Sequence, residues 1–521
     1  MPSSLLRRRV PKPVALAAWG LLMGVCAVAA WAIVTDLTLV RRLHTPLMQH
    51  VGQNVFTDLV KAGQAEQAFE EAFEHGDTLF SLPFNALDGG GANVGNGQRF
   101  TRLPRADLAG AGQWAAHTPS RATGPNAQSC VQCHNSPIED GAGTAANLVV
   151  RDPLHSKNVG QMVTRDTPHV FGLGATQRLA EEMTARLRTI RQDAINAAKS
   201  GGADVTRDLV AKGVGFGQIT GRPDGTADTS AVRGVAADLI VRPFQWKGSV
   251  AFIRDFVRGA AHNELGMQPV ELTGDGVDGD GDGVVNEMLI GDITGLTIYQ
   301  AAQPRPVTRT ELAELRLIPA LSTAERDAIN RGRDVFRTVG CAVCHVPSLT
   351  LDSPIFKEPS SMAAFRDAKL PAGQDPIPRN LDPAFPVSFD LTQDHPDNII
   401  RDSAGNIRRR LGSFDKDGSG KAVIRLFGDL KRHDMGPRLA ESIDEAGTGA
   451  SMWLTRNLWG VGSTAPYLHD GRATTLTEAI LEHGGEGAAA RDAFRALVEG
   501  SQKDLIAFLN NLVLFKQAEE D

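Results

Sequence analysis

Two copies of one short pattern constrain this chain more than anything else in it: "CVQCH" at 130–134 and "CAVCH" at 341–345. They hold four of the five cysteines in 521 residues. A Cys-x-x-Cys pair alone could be a redox dithiol or half of a zinc site. The histidine directly after each pair changes the reading, because two thiols can add to haem vinyl groups while the next imidazole reaches the iron. A four-ligand zinc site usually sets its cysteine pairs close together in sequence, and the two histidines here are 211 residues apart. The pattern implies two covalently bound c-type haems, one on Cys130, Cys133 and His134, the other on Cys341, Cys344 and His345.

Covalent haem attachment takes place outside the bacterial cytoplasm, so an export or anchoring segment is expected. Arg7, Arg8, Arg9 and Lys12 precede Val14–Val34, a stretch of 21 residues without a charge. That length spans a bilayer as a helix, and the basic flank keeps the N-terminus inside. The expectation is an uncleaved inner-membrane anchor over 1–35 with the rest facing the periplasm. The small residues of "AVAAWA" also allow cleavage to a periplasmic form. Cys26, the fifth cysteine, falls inside this stretch. The chain has 54 basic and 61 acidic side chains, net −7, and the four basic ones at the N-terminus mask a still more acidic remainder. Such a balance speaks against nucleic acid and suits a basic redox partner.

Apolar residues recur three and four apart in 177–200, 323–339 and 502–518, which predicts amphipathic helices. No alternating pattern of comparable length suggests strands. The expected class is mainly α: two cytochrome c-like haem domains with long irregular loops, preceded by the N-terminal transmembrane helix. A boundary near 303–320 gives 36–310 and 311–521, each with one haem. Two such domains should share an internal pattern. Laying Trp246 over His469 matches Gly248 with Gly471 and Ile253 with Leu476.

With the two attachment motifs, "STAPYLHDGRATTLTEAI" (463–480), "RDTPHVFGLG" (165–174), "GDITGLTIYQAA" (291–302) and "LKRHDMGP" (430–437), the chain resembles the bacterial di-haem cytochrome c peroxidase superfamily, in its di-haem oxidoreductase branch. The resemblance implies a peroxidase-like oxidoreductase in which two haems exchange electrons across a domain interface. It also implies a small electron donor of cytochrome c or cupredoxin type. In that family the distal ligand of the second haem lies fourteen residues after the histidine of the His-Asp-Gly motif. Counting from His469 gives His483, so His345 and His483 are expected to close the second haem; Met435 is the rival ligand. A surface histidine at a helix end would look the same.

The position equivalent to His483 in the first half is Ala260, which cannot bind iron. The first haem is therefore expected to stay open to peroxide or dioxygen, with His155 or His169 as the resting-state cap that the resemblance implies. Glu264 is the candidate proton shuttle and His262 its alternative. Phe256 stands where the family has a glutamine, giving a more apolar pocket that suits a haem dioxygenase as well. Trp246 is the candidate relay between haems, though a plain core tryptophan would read identically. A non-catalytic electron-transfer cytochrome is the third reading. The resemblance also implies a calcium ion held by Asp166, Thr464 and Pro466. Separately, Asp278, Asp280 and Asp282 alternate before Gly283 like the opening of an EF-hand loop. Its twelfth position is Leu289 rather than Glu, and a metal-free Asp-Gly turn would share the pattern.

Overall fold

The computed structural model describes residues 37–516 except 96, 111–112, 394–398, 402–405 and 411–413. It corrects the expected class: 37% of the structure is helical and 13% is strand, so the chain is mixed α/β. No helix among the described residues is long and apolar enough to cross a membrane, and the expected anchor, residues 1–35, lies outside them.

Helix formation follows the sequence periodicity closely. The predicted helix at 177–200 becomes Leu173–Gly201, with Leu179, Met183, Leu187 and Ala194 along its buried face. It stops where Gly202 turns left-handed at φ 65° and donates its N–H to Ala198 O. The helix Thr323–Thr338 begins with a reciprocal cap between Ser322 and Glu325. It crosses the last helix, Glu499–Asn510, at Gly332, where any Cβ would sit 1.9 Å from the Asp504 carbonyl oxygen. That helix is shorter than the 502–518 pattern suggested. Leu512–Val513 instead pairs antiparallel with Val307–Thr308, and the Asn511 side chain accepts the Thr310 N–H at 3.0 Å.

The strands missed in the sequence are short and antiparallel. Val205–Ala211 and Val214–Gly221 form a hairpin directly after the long helix. Lys212 and Gly213 both have positive φ (50° and 79°), the two-residue turn that matches strand twist. Its buried side carries Leu209, Phe216 and Ile219, while Gly221 lets the strand press on the Ala194 backbone. A further pair, Ile355–Glu358 with Val387–Asp390, and the strand Leu349–Leu351 lie beyond position 311.

Packing does not follow chain order. The larger core joins residues of the first half, such as Phe73, Leu179 and Tyr299, to Leu351, Phe356, Phe389 and Ile424 of the second. The smaller core gathers Phe336, Phe494, Leu505, Phe508 and Leu509 beside the second attachment motif.

The alignment of Trp246 with His469 has a structural counterpart. Phe244 bridges Val250 as Tyr467 bridges Ala473. Gln245 and Leu468 are left-handed (φ 62° and 72°), as are Gly248 and Gly471 (φ 59° and 69°). Helices then begin at Ile253 and Leu476. Each pair is separated by the same 223 positions. One tight hairpin leading into a helix is built twice.

Candidate haem sites

Each attachment motif is a single 3-10 turn, Cys130–Gln132 and Cys341–Val343, closed by His134 N–H to Cys130 O and His345 N–H to Cys341 O, both 3.0 Å. At the second motif Cys341, Cys344 and His345 all border one cavity. All four thiols are free and half-buried. Burial pushes the thiols of Cys130 and Cys133 up to about 12 and that of Cys341 up to about 11. Redox dithiols need the opposite shift, toward thiolate, so the environment disfavours a disulfide-exchange centre.

The histidines are prepared as ligands. His134 Nδ1 lies 3.2 Å from Gly141 O, and His345 Nδ1 lies 3.2 Å from Phe427 O. A carbonyl can only accept, so Nδ1 carries the proton and Nε2 keeps its lone pair. Burial lowers both imidazoles to about 4, which keeps them neutral. His483 repeats the arrangement: Nδ1 donates to Ala479 O at 2.8 Å, and burial lowers its pKa.

His345 and His483 face each other with ring centres 6.4 Å apart. Two imidazoles each about 2 Å from a shared metal have ring centres about 6 Å apart. They border an apolar cavity of about 480 Å³ that also takes in Cys341, Cys344 and Met435. The donor set and spacing fit a haem between the two histidines. Met435 shares the cavity, but the paired geometry belongs to His483.

Trp246 also lines this cavity, as do Asp166, Thr464 and Pro466. Its Nε1 donates to Asp166 O at 2.8 Å. Arg456, which sequence reasoning missed, lies 4.8 Å over the Trp246 ring; burial lowers its pKa to about 10 against the pull of Asp166. The Asp166 carboxyl is pushed up to about 8 by burial, and its Oδ1 is buried without a partner.

A second missed group flanks Cys344. His433 Nε2 is 2.8 Å from Asp429, its Nδ1 is 2.7 Å from Glu486, and that same nitrogen is 3.9 Å from Cys344 Sγ. Burial lowers its pKa, but Asp429 and its other partners outweigh that and hold it at about 10. Its segment, "LKRHDMGP", carried part of the family resemblance, but nothing in it singled out the histidine.

Around the first motif, Asn126 and Ala127 donate their N–H groups to Glu264 O (2.8 and 3.1 Å), pinning the Glu264 turn just ahead of Cys130. Asn126 Nδ2 donates to the Glu264 carboxylate at 3.1 Å. Burial pushes that carboxyl up to about 7, with Arg151 and Asn126 opposing, and its charge is felt at Cys133. His262 lies in the same turn, Ala261–Leu265, as Glu264. Its Nδ1 and Nε2 lie 3.4 Å from Met267 O and Ser120 O, which suits a structural role.

Phe256 is half-buried, 6.3 Å from Phe244, on a small cavity shared with His169. His169 commits Nε2 to Trp459 O at 3.1 Å and leaves Nδ1 buried without a partner. His155 sits in the loop held by Asp152, at φ 50°. Ala260 ends the helix Ile253–Ala260, where the chain passes into a π turn, Ala261–Leu265. Asp278, Asp280 and Asp282 each bring one oxygen within 4.8 Å of the others, in a loop outside the lining of the His345–His483 cavity.

Residues 416–512 match the family model described as "Di-haem oxidoreductase, putative peroxidase". The match covers the part of the chain around His433, His469 and His483, and with the two Cys-x-x-Cys-His motifs it supports a likeness to the di-haem peroxidase superfamily. No curated protein matches the chain. A solved structure, "Crystal structure of a MauG-like protein associated with microbial copper homeostasis", is similar at 15% identity, covering 65% of this chain and 88% of that one, with a TM-score of 0.25. So low a score carries no argument about the site.

Proposed function

We propose that this protein is a peroxidase-like di-haem c-type oxidoreductase with one closed and one open haem site. The observation that carries the reading is the contrast between His483, facing His345 at 6.4 Å, and Ala260 at the equivalent place in the first half. Haem iron, when bound, supplies one-electron chemistry and, where a coordination position is open, a place for peroxide or dioxygen.

The chain's own residues do the rest. His134, His345 and His483 are held as neutral Nε2 donors by their backbone carbonyls. Glu264, poised near neutral pH, holds or releases a proton beside the first motif. Trp246, anchored to Asp166 O and overlaid by Arg456, offers an oxidisable side chain at the wall of the second site. Asp166, with its orphaned oxygen, and the neighbouring Thr464 and Pro466 suit a calcium ion there. The His433 imidazolium fixes the segment around Cys344. Covalent attachment through both cysteine pairs implies export to the periplasm, where a small cytochrome or cupredoxin would supply electrons.

The half-buried Phe256 favours a second reading at the same site, dioxygen chemistry on an apolar substrate. Stopped-flow spectra of the reduced protein mixed with peroxide and with dioxygen separate the readings. Peroxide is expected to change one haem spectrum quickly. No reaction with either reagent leaves an electron carrier and refutes the enzyme.

A further inference from the structure

The acidic loop at 278–287 lies apart from the haem cavity, and none of the chemistry above uses it. Asp278, Asp280 and Asp282 bring oxygens within 4.8 Å of one another, and a fourth carboxylate, Glu287, is close enough for Asp280 and Asp282 to act on it electrostatically. Asp280 and Glu287 are only 2% and 1% exposed, a costly position for charge unless it is paired.

The oxygens can be accounted for one at a time. Asp278 Oδ1 accepts the N–H groups of Gly281 (2.7 Å) and Asp282 (3.2 Å), and its Oδ2 accepts that of Gly283 (2.9 Å). Asp282 Oδ1 takes the Val284 N–H at 2.8 Å, and Oδ2 takes Arg99 at 2.8 Å. Asp280 Oδ2 takes Arg121 at 3.1 Å, and Glu287 Oε2 takes the Gln268 N–H at 2.6 Å. Two oxygens remain: Asp280 Oδ1 and Glu287 Oε1, both buried without a partner.

The charges leave a matching remainder. Arg99 and Arg121 neutralise two of the four carboxylates, and the other two charges equal one divalent cation. Every free donor is oxygen, which selects a hard cation, and carbonyls of the same turns can complete the six to eight ligands calcium takes. We infer that this loop is a calcium site, with Asp278, Asp280 and Asp282 as its opening ligands and Glu287 closing it in place of the residue that Leu289 cannot supply.

The site would act on the first haem motif through contacts already present. Thr118 N–H donates to Gly279 O at 3.0 Å. Gln268 bridges the same two segments, from Gly279 N–H at 2.8 Å to Thr118 O at 3.4 Å. Arg121 also donates to the His262 carbonyl. Calcium would fasten both the strand of chain entering Cys130 and the turn that carries Glu264.

The test uses the holoprotein, stripped with EGTA, desalted and titrated with Ca²⁺ by calorimetry. The wild type is expected to bind an equivalent that Asp280→Asn and Glu287→Gln each lose or weaken at least tenfold. Asp166→Asn, at the separate candidate site between the haems, is expected to keep it. Binding unchanged in both loop variants overturns the inference, as does uptake that disappears in Asp166→Asn alone. Should the loop variants fail to fold, the stripped wild type decides: Ca²⁺ should slow proteolytic cleavage within 274–285, and no calcium uptake at all refutes the site.

Discussion

Glu264 makes a prediction whose size can be worked from its surroundings. Burial pushes its carboxyl from 4.5 to about 7. At pH 7 roughly half of it is then protonated, against less than about 1% of an ordinary glutamate. The same shift is a stability statement. Below pH 4.5 the carboxyl is neutral in folded and unfolded chains alike, so nothing is lost. As pH rises from 4.5 to 7 the unfolded chain ionises first, and the folded state loses about 3 kcal/mol, all of it by the time pH passes the folded pKa. Glu264→Gln copies the neutral carboxyl at every pH. Denaturant unfolding of wild type and variant holoprotein at pH 4.5 and pH 8 should therefore show the variant gaining about 3 kcal/mol relative to wild type across that window. The peroxide reaction, read in the same buffers, should slow in the variant and lose its inflection near pH 7. Parallel pH profiles of stability in the two proteins would refute the shift, and an unchanged peroxide rate would remove Glu264 from the proton path.

His483→Ala should convert one of two haems from low-spin to high-spin, read by near-infrared and electron paramagnetic resonance spectra; the same change in Met435→Ala instead would transfer the ligand role. Carbon monoxide should bind about one equivalent per reduced chain, and Ala260→His should abolish it by supplying the imidazole that the first half lacks. Pyridine haemochrome analysis should find two haems that survive acid–acetone extraction, and finding one would undo the pairing of sites. Gly471→Ala places a Cβ at φ 69° and 2.8 Å from Leu148 Cδ2, so it should cost about 1–3 kcal/mol in denaturant unfolding.

The candidate site was more legible than the fold. The two Cys-x-x-Cys-His motifs stood out because haem attachment demands particular residue types at fixed spacings, and His483 came from the offset that the family resemblance implied; the structure sets its ring facing that of His345. The offset between Trp246 and His469 could be read because a hairpin with left-handed positions restricts its sequence twice over. Strands escaped because they are short and one-sided: Val205–Ala211 buries only Leu209 and Ala211, too few positions to set a period. The turn at Lys212-Gly213 was the one local signal available. Arg456 and His433 escaped for a different reason. Arg456 acts on Trp246 and Asp166, remote in sequence, and His433 needs Glu486 and Cys344 as well as nearby Asp429; no spacing announces a guanidinium over an indole. The reach of the last helix was overestimated because apolar periodicity continues through Leu512 and Leu514, which the chain spends on a strand and its flank.

The larger core has a consequence for how such a chain can be made. Leu351, Phe356, Phe389 and Ile424 come after the second attachment motif in sequence, yet they pack among side chains that precede it. Each contributes on the order of 1.5–3 kcal/mol of burial to that shared interior. A fragment ending at 310 would emerge with its interior exposed, and no split of the gene between the two motifs should yield two soluble proteins. The first half must wait, partly open, while the second is delivered. Cys130 and Cys133, which pack against that shared interior, would then stay reachable until the chain closes, and closure fixes both Cys-x-x-Cys-His turns within one body instead of leaving them to dock.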